Sequence, residues 1–177
     1  TVYGNPRYLP IDEEHPTDPI CAYGIHKLTI EKYLLLFHHL YDLNVTILRA
    51  ANPYGSRQNP FGSQGVVSSF LARALMGDTL EIWGDGSVIR DFLHVKDLIR
   101  ALILAMYYSG SMNVFNVGAG CGVSLRDLIR LLENVLGRSL PVKYQEVNRL
   151  DVSSNILDIS RAQTELGWMP QIGLHEG

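Results

Sequence analysis

Tyr23-Gly24-Ile25-His26-Lys27 opens a long apolar stretch that reads as a helix from 23 to about 41. Residues four apart lie on one helix face, so Tyr23 and Lys27 point the same way, a phenol beside an ammonium. A free tyrosine titrates near pH ~10 and is a poor base at neutral pH. A neighbouring cation favours the phenolate, which makes the pair a workable general acid–base for a hydroxyl group. The same residues can also open an ordinary amphipathic helix, and Tyr-x-x-x-Lys alone does not decide between the two. Further along stand Leu28, Ile30, Tyr33, Leu34, Leu35, Leu36, Phe37 and Leu40, apolar on nearly every face, as expected of a helix buried on several sides. His38 and His39 are adjacent, point apart and make no joint ligand pair.

Outward from this helix, strand and helix patterns alternate. Asn44-Val45-Thr46-Ile47-Leu48-Arg49 is a short β-branched run that fits a buried parallel strand. A helix opens at Gly65-Val66-Val67, runs to about Met76 and stops at Gly77. Leu80-Glu81-Ile82-Trp83 reads as a strand, Gly84-Asp85-Gly86 as a turn, and His94-Val95-Lys96-Asp97 as the start of a helix to about 108. Asn113-Val114-Phe115-Asn116-Val117 is a strand, 125–136 a helix ended by Gly137, 142–147 a strand, and 158–167 a short helix. This alternation predicts an α/β fold with a doubly wound parallel sheet. Before the first helix, residues 5–19 hold four prolines and the acidic run Asp12-Glu13-Glu14, expected to be a solvated surface loop.

The bulk numbers exclude several classes. A chain of 177 residues can bury a real core, and 46% apolar with 19% charged residues is ordinary for a soluble globular protein. A net charge of −3 gives no electrostatic support for a nucleic-acid partner. No apolar run is long enough to span a bilayer, so no membrane partner is expected. Cys21 and Cys121 have no metal-ligand spacing and read as reduced thiols in a cytoplasmic protein. Gly118-Ala119-Gly120-Cys121-Gly122 has the wrong spacing for a dinucleotide loop and no βαβ unit after it. Ser124 and Asp127 resemble a capping box, so this loop is expected only to turn into a helix.

Two positions carry ligand chemistry in their own right. Asn52 follows the 44–49 strand, and ligands in open α/β sheets bind beyond the carboxyl ends of strands. Arg90 offers a planar fork that matches phosphate oxygens. The helix start at Gly65 and Val66 leaves N–H groups free for a phosphate or a base edge.

Ala22-Tyr23-Gly24-Ile25-His26-Lys27, then Leu48-Arg49-Ala50-Ala51-Asn52-Pro53-Tyr54-Gly55, then Ile82-Trp83-Gly84-Asp85-Gly86 and Arg90-Asp91-Phe92-Leu93-His94-Val95, stand in register with one another. Through them the chain resembles the extended short-chain dehydrogenase/reductases from Thr1 to Gly177. Within these it resembles the NAD-dependent nucleotide-sugar epimerases and dehydratases, chiefly the UDP-glucose 4-epimerase type.

The resemblance implies a Rossmann-like fold of which this chain is the C-terminal portion. Residues 1–64 would be the end of the dinucleotide-binding domain. Residues 65–177 would be mainly the nucleotide-sugar lobe, with the chain crossing back. Thr1-Val2-Tyr3-Gly4 would follow directly on a strand end that supplies the catalytic Ser or Thr, so this chain alone is expected to be silent. The implied activity is NAD-dependent C4 epimerisation of a UDP-sugar. Tyr23 and Lys27 would be catalytic, and Ala50, Asn52 and Pro53 would join them in holding NAD. Asn52 and Arg90 would meet the diphosphate, Leu80 and Ile82 or Trp83 the base. Core packing competes with that last role. Arg149-Leu150-Asp151 resembles the family's Arg-Pro-Gly-Asp shortened by one residue, which implies that Arg149 and Asp151 clamp the nucleotide. Asn155 stands where relatives gate the sugar pocket. Thr1 stands where dehydratases carry Glu, and a threonine cannot donate as a carboxylic acid does, which favours simple epimerisation. The 23–41 helix would also serve a homodimer, although core burial explains its apolarity as well. The alternatives are a dehydratase or reductase of the same family, and a non-catalytic dinucleotide-responsive regulator.

Overall fold

The computed structural model describes residues 1–62, 64–111, 113–146 and 152–177. Arg149 and Asp151 lie outside the described residues. The elements run α1 (Ala22–Tyr41), β1 (Ile47–Ala50), β2 (Asn52–Tyr54), α2 (Val66–Met76), β3 (Leu80–Trp83), β4 (Ile89–Arg90) and β5 (Phe92–His94). They continue with α3 (Val95–Met106), β6 (Val114–Val117), β7 (Val123–Ser124), α4 (Leu125–Leu136), β8 (Val142–Gln145), β9 (Ser154–Asn155) and α5 (Ser160–Glu165). The fold is α/β with parallel pairing, as the alternating pattern predicts. β1 pairs with β6 from Ile47↔Val114 to Ala50↔Val117, β2 with β5, and β3 with β8. Parallel neighbours need crossovers, and α2 and α3 lie in the chain between β1 and β6. β4 runs parallel to β9 and antiparallel to β7.

Two apolar cores form. The first joins Ala51, Leu93, Ala101, Phe115 and Val117 to Tyr3 and Ile11 from the start of the chain and to Leu157, Ile159, Ala162 and Trp168 from its last part. Ile11 bonds on both sides of Leu157, donating to Ile156 O at 2.8 Å and accepting from Asp158 N at 2.7 Å. The second core packs Phe70 and Ala74 of α2, Leu80 and Ile82 of β3, and Leu128, Ile129 and Leu132 of α4.

Buried polar groups stitch these layers. Asp91 has no exposed surface, and its carboxylate accepts from the backbone N–H of Ala119 (2.6 Å), Gly120 (3.2 Å) and Leu157 (3.2 Å). The glycine loop after β6 therefore cradles an internal anion. Buried Asp97 accepts from the amides of Gln171 and Ile172, and its own carbonyl accepts from the Trp168 indole at 3.0 Å. Ser124 caps α4 by accepting from Asp127 N at 3.0 Å, but the Asp127 carboxylate takes the Ser124 hydroxyl instead of completing a capping box.

Two expectations need correction. First, α1 buries only Gly24 and Glu31, while Ile25, Ile30, Tyr33, Leu36, Phe37 and Leu40 are exposed. Only the Gly24–Glu31 side of the helix meets packing partners among the described residues. Second, the acidic loop is not uniformly solvated. The Glu13 side chain is 4% exposed, accepts from Asn116 N at 2.7 Å and lies 3.6 Å from Arg161, whereas the Glu14 side chain is 80% exposed. Beyond the 44–49 run, 52–54 forms a further strand despite Pro53, and the short parallel ladder tolerates the missing N–H.

Asp91→Ala leaves the buried Leu157 N–H and the partly buried Ala119 and Gly120 N–H groups without their acceptor, and is expected to cost about 2–3 kcal/mol in urea unfolding. Burial, then the charges of Asp97 and Glu176, pushes the Tyr54 phenol up to about 12. A raised folded value means this contribution is intact below the unfolded value near ~10 and is lost as pH rises toward 12. The urea midpoint of the wild type should therefore fall across that window, and that of Tyr54→Phe should fall less.

Candidate active site

One cavity of about 360 Å³ lies between the Tyr23–Lys27–Glu31 stripe of α1 and the strand β1. It collects Thr1, Tyr23, Lys27, Ala50 and Asn155, all singled out from sequence, together with Tyr3, Glu31 and Arg49. Gly24 brings the first turn of α1 close to the start of the chain. A Cβ at this position would sit 2.8 Å from both Thr1 O and Pro19 Cβ, so only glycine lets the helix approach Thr1. Tyr23 is 52% exposed at the cavity, and Lys27 Nζ stands 5.3 Å from its ring centroid. The ammonium thus faces the aromatic ring one turn on, in cation–π range.

The cavity's other phenol is different in kind. Tyr3 is buried and donates to Asn116 Oδ1 at 2.6 Å. Burial is the first cause that pushes it up to about 12, so it stays protonated at working pH and is no acid–base candidate. Its hydroxyl accepts from Arg49 Nη1 at 2.8 Å, and the guanidinium lies 4.8 Å from its ring centroid. Arg49 also donates from Nε to Glu31 Oε2 at 3.0 Å and from Nη2 to Glu31 Oε1, a two-pronged ion pair with side chains 10% and 4% exposed.

Arg90 and Asn155 are register partners on β4 and β9, which sets Arg90 beside the Asn155 wall of the cavity. Arg90 Nη1 donates to the carbonyls of Ile89 (2.9 Å) and Val152 (2.7 Å). Asn52 opens β2, its N–H donating to Asp91 O at 2.9 Å, and Pro53 follows it. Gly65, at φ 96°, opens α2 with no side-chain cap, and Val66 is half-buried against the second core. Gly65, Val66, Asn52 and Pro53 are not part of the cavity wall.

The base-contact expectation needs dividing. β3 alternates inward and outward, and the side chains of Leu80 and Ile82 are buried in the second core. Glu81 and Trp83 face out, and Trp83 is 60% exposed. Beyond the ends of β3 and β8 lies an open cavity lined by Asp85, Arg126 and Tyr144 among others, with Arg126 paired to Asp85 at 3.0 Å.

The sequence reading missed Tyr3, Glu31 and Arg49. A charge inside a β-branched strand run, and a glutamate eight residues after Tyr23 on the same stripe, were the available signals. A buried charge demands a partner. Among the described residues no His, Cys, Asp and Glu cluster could hold a metal ion, and no helix is long and apolar enough to cross a membrane.

Residues 1–118 match the NAD dependent epimerase/dehydratase family. The UDP-glucose 4-epimerase of Mycolicibacterium smegmatis is 37% identical over 177 residues, 100% of this chain and 56% of that protein. The dTDP-4-dehydro-6-deoxyglucose reductase of Escherichia coli is 33% identical over 100% of this chain and 56% of its own length. A crystal structure of UDP-glucose 4-epimerase with UDP-glucose from Thermotoga maritima superposes with a TM-score of 0.95 at 41% identity, covering 99% of this chain and 57% of that one. The chain therefore spans little more than half the length of these relatives. With a parallel α/β fold, the Tyr23–Lys27 stripe on its cavity and this match over most of its residues, the chain belongs to the NAD dependent epimerase/dehydratase family.

Proposed function

We propose that the full-length protein carrying this chain interconverts C4 epimers of a nucleotide sugar, of the UDP-glucose and UDP-galactose type, through a 4-keto sugar. The observation that carries this reading is the single cavity holding Thr1, the exposed Tyr23, Lys27, Ala50 and Asn155. Its wall of Ile47, Leu48 and Ala50, with the Tyr23 and Lys27 heads beside it, suits the nicotinamide and ribose end of NAD. When bound, NAD supplies the acceptor that takes hydride from C4 and returns it.

Tyr23 takes the proton of the 4-hydroxyl and gives it back after the keto sugar has turned over. The Lys27 ammonium stands over the Tyr23 ring, one helix turn on, and would donate to the cofactor ribose. Thr1 offers a hydroxyl to the sugar beside Tyr23, and without a carboxylic acid there the 6-hydroxyl has no proton donor for its expulsion. Asn52, Arg90, Arg149 and Asp151 hold the diphosphate and ribose. Trp83, outward at the end of β3, and the open α2 start at Gly65 and Val66 are offered to the base. Asn155 limits the size of the sugar substituent. The exposed apolar face of α1 pairs with a second copy of the protein. Inactivity of this chain alone belongs to the same reading, since the chain spans little more than half the length of the relatives it matches.

A second reading, reduction of a 4-keto nucleotide sugar, is favoured by the similarity to the Escherichia coli reductase. Proton NMR of the full-length protein with NAD and UDP-glucose separates the two. Growth of UDP-galactose H4 and anomeric signals is expected, with N-acetylated or uronic analogues as the next substrates. A 4-keto-6-deoxy product, or turnover only of a 4-keto sugar with reduced cofactor, contradicts epimerisation. Tyr23→Phe should lower kcat by roughly 10²–10⁴-fold while nucleotide-sugar binding, read by calorimetry, stays within about twofold.

A further inference from the structure

α1 carries the proposed catalytic pair, and within the described residues of this chain little apolar packing holds it. Of its residues only Gly24 and Glu31 are buried, and Cys21 before it makes no side-chain cap bond. Two close polar or backbone contacts tie its catalytic stripe to the rest of this chain. At the first turn Gly24 lies against Thr1 and Pro19. Two turns on, Glu31 meets Arg49, which projects from β1, and the Arg49 fork also binds the Tyr3 hydroxyl at 2.8 Å and the Glu13 carbonyl at 3.3 Å. Tyr23, Lys27 and Glu31 are spaced by four, so they share one stripe, and Glu31 sits one turn past Lys27. A rotation of the helix about its axis moves all three together. Rotation is what a two-pronged guanidinium–carboxylate pair at the far end of the stripe resists.

We propose that Arg49 and Glu31 are positioning residues for the reaction. Their ion pair, braced by Tyr3, sets the rotation of α1 and so the place of the Tyr23 hydroxyl and the Lys27 ammonium in the cavity. Neither side chain needs to touch substrate, because Arg49 is consumed by Glu31, Tyr3 and Glu13. The pair does a second thing. The Glu31 carboxylate, one turn from Lys27, is neutralised locally, so Lys27 is not drawn away from Tyr23 toward it. The inference rests on the epimerase reading for its kinetic arm only.

Two measurements on the full-length protein test it. In Arg49→Lys the charge stays but the fork is lost. A shift of the phenol on the scale of an ångström is expected to lower kcat by about 10- to 100-fold, with KM for the nucleotide sugar within about twofold. Glu31→Gln keeps one acceptor for Arg49 and should retain more of kcat than Arg49→Lys. Amide hydrogen exchange across residues 22–31 should quicken in Arg49→Lys by about tenfold or more while the strands β1 and β6 keep their protection. A wild type that turns over no nucleotide sugar overturns the epimerase reading and leaves the exchange result to decide the clamp. An active wild type whose Arg49→Lys variant keeps kcat per folded molecule within twofold overturns the clamp, as does unchanged α1 exchange. If Arg49→Lys does not fold, the same two limits apply to Glu31→Gln, compared with the wild type.

Discussion

The arrangement depends on one buried ion pair, Arg49 with Glu31. It joins the helix that carries Tyr23 and Lys27 to the strand β1, whose end passes into the Ala50–Asn52 corner. Desolvating two charges is costly, and the cost is met only when every donor finds an acceptor. Here Arg49 bonds to Glu31 through two nitrogens, and its Nη1 serves both Tyr3 and Glu13. Tyr3 passes the chain of bonds to Asn116 on β6, and Asn116 returns it to Ile11 and Glu13 in the first loop. The network therefore ties the start of the chain, α1, β1 and β6 into one polar unit beneath the cavity. A partly satisfied version would be worse than an apolar floor, which makes the geometry all-or-none.

The same logic sorts the two tyrosines that line the cavity. Tyr3 is hidden, bonded on both sides and held protonated far above neutral pH. Tyr23 is exposed and has Lys27 over its ring. One phenol is fixed as structure and the other is left open to a ligand. A second division separates the carboxylates. Asp91 gives both oxygens to backbone amides, and Asp97 gives Oδ2 to the amides of the 171–172 segment while its Oδ1 lies 3.1 Å from Arg100, so both hold the chain together rather than face a substrate.

Much of this was legible in the sequence because it depends on period and chemistry. The α1 helix, the β1 run, β3, β6 and the Ser124 start of α4 follow from local pattern, and the structure keeps each within a few residues. Tyr23 and Lys27 sharing a face needed only the helix pitch. What escaped depends on contacts far apart in sequence. Glu31 and Arg49 are 18 residues apart, and Tyr3 and Asn116 are 113 apart, so no local window couples them. The apolar run of α1 misled in the other direction. Periodicity says that a face is greasy, and it cannot say whether this chain supplies the cover. Leu80 and Ile82 show the same limit, since alternation in β3 leaves open which parity faces the core until α2 and α4 are in place.

The central claim is that the Tyr23–Lys27 cavity carries out oxidation and re-reduction at C4 within one active site. The most direct measurement follows UDP-glucose labelled with deuterium at C4 through the full-length protein with NAD in ordinary water. Retention of the label at C4 of UDP-galactose is predicted, because the hydrogen taken up is the one returned. Loss of that deuterium to solvent in the epimerised product would contradict the account, since it would mean that C4 inverts by proton exchange rather than by hydride transfer.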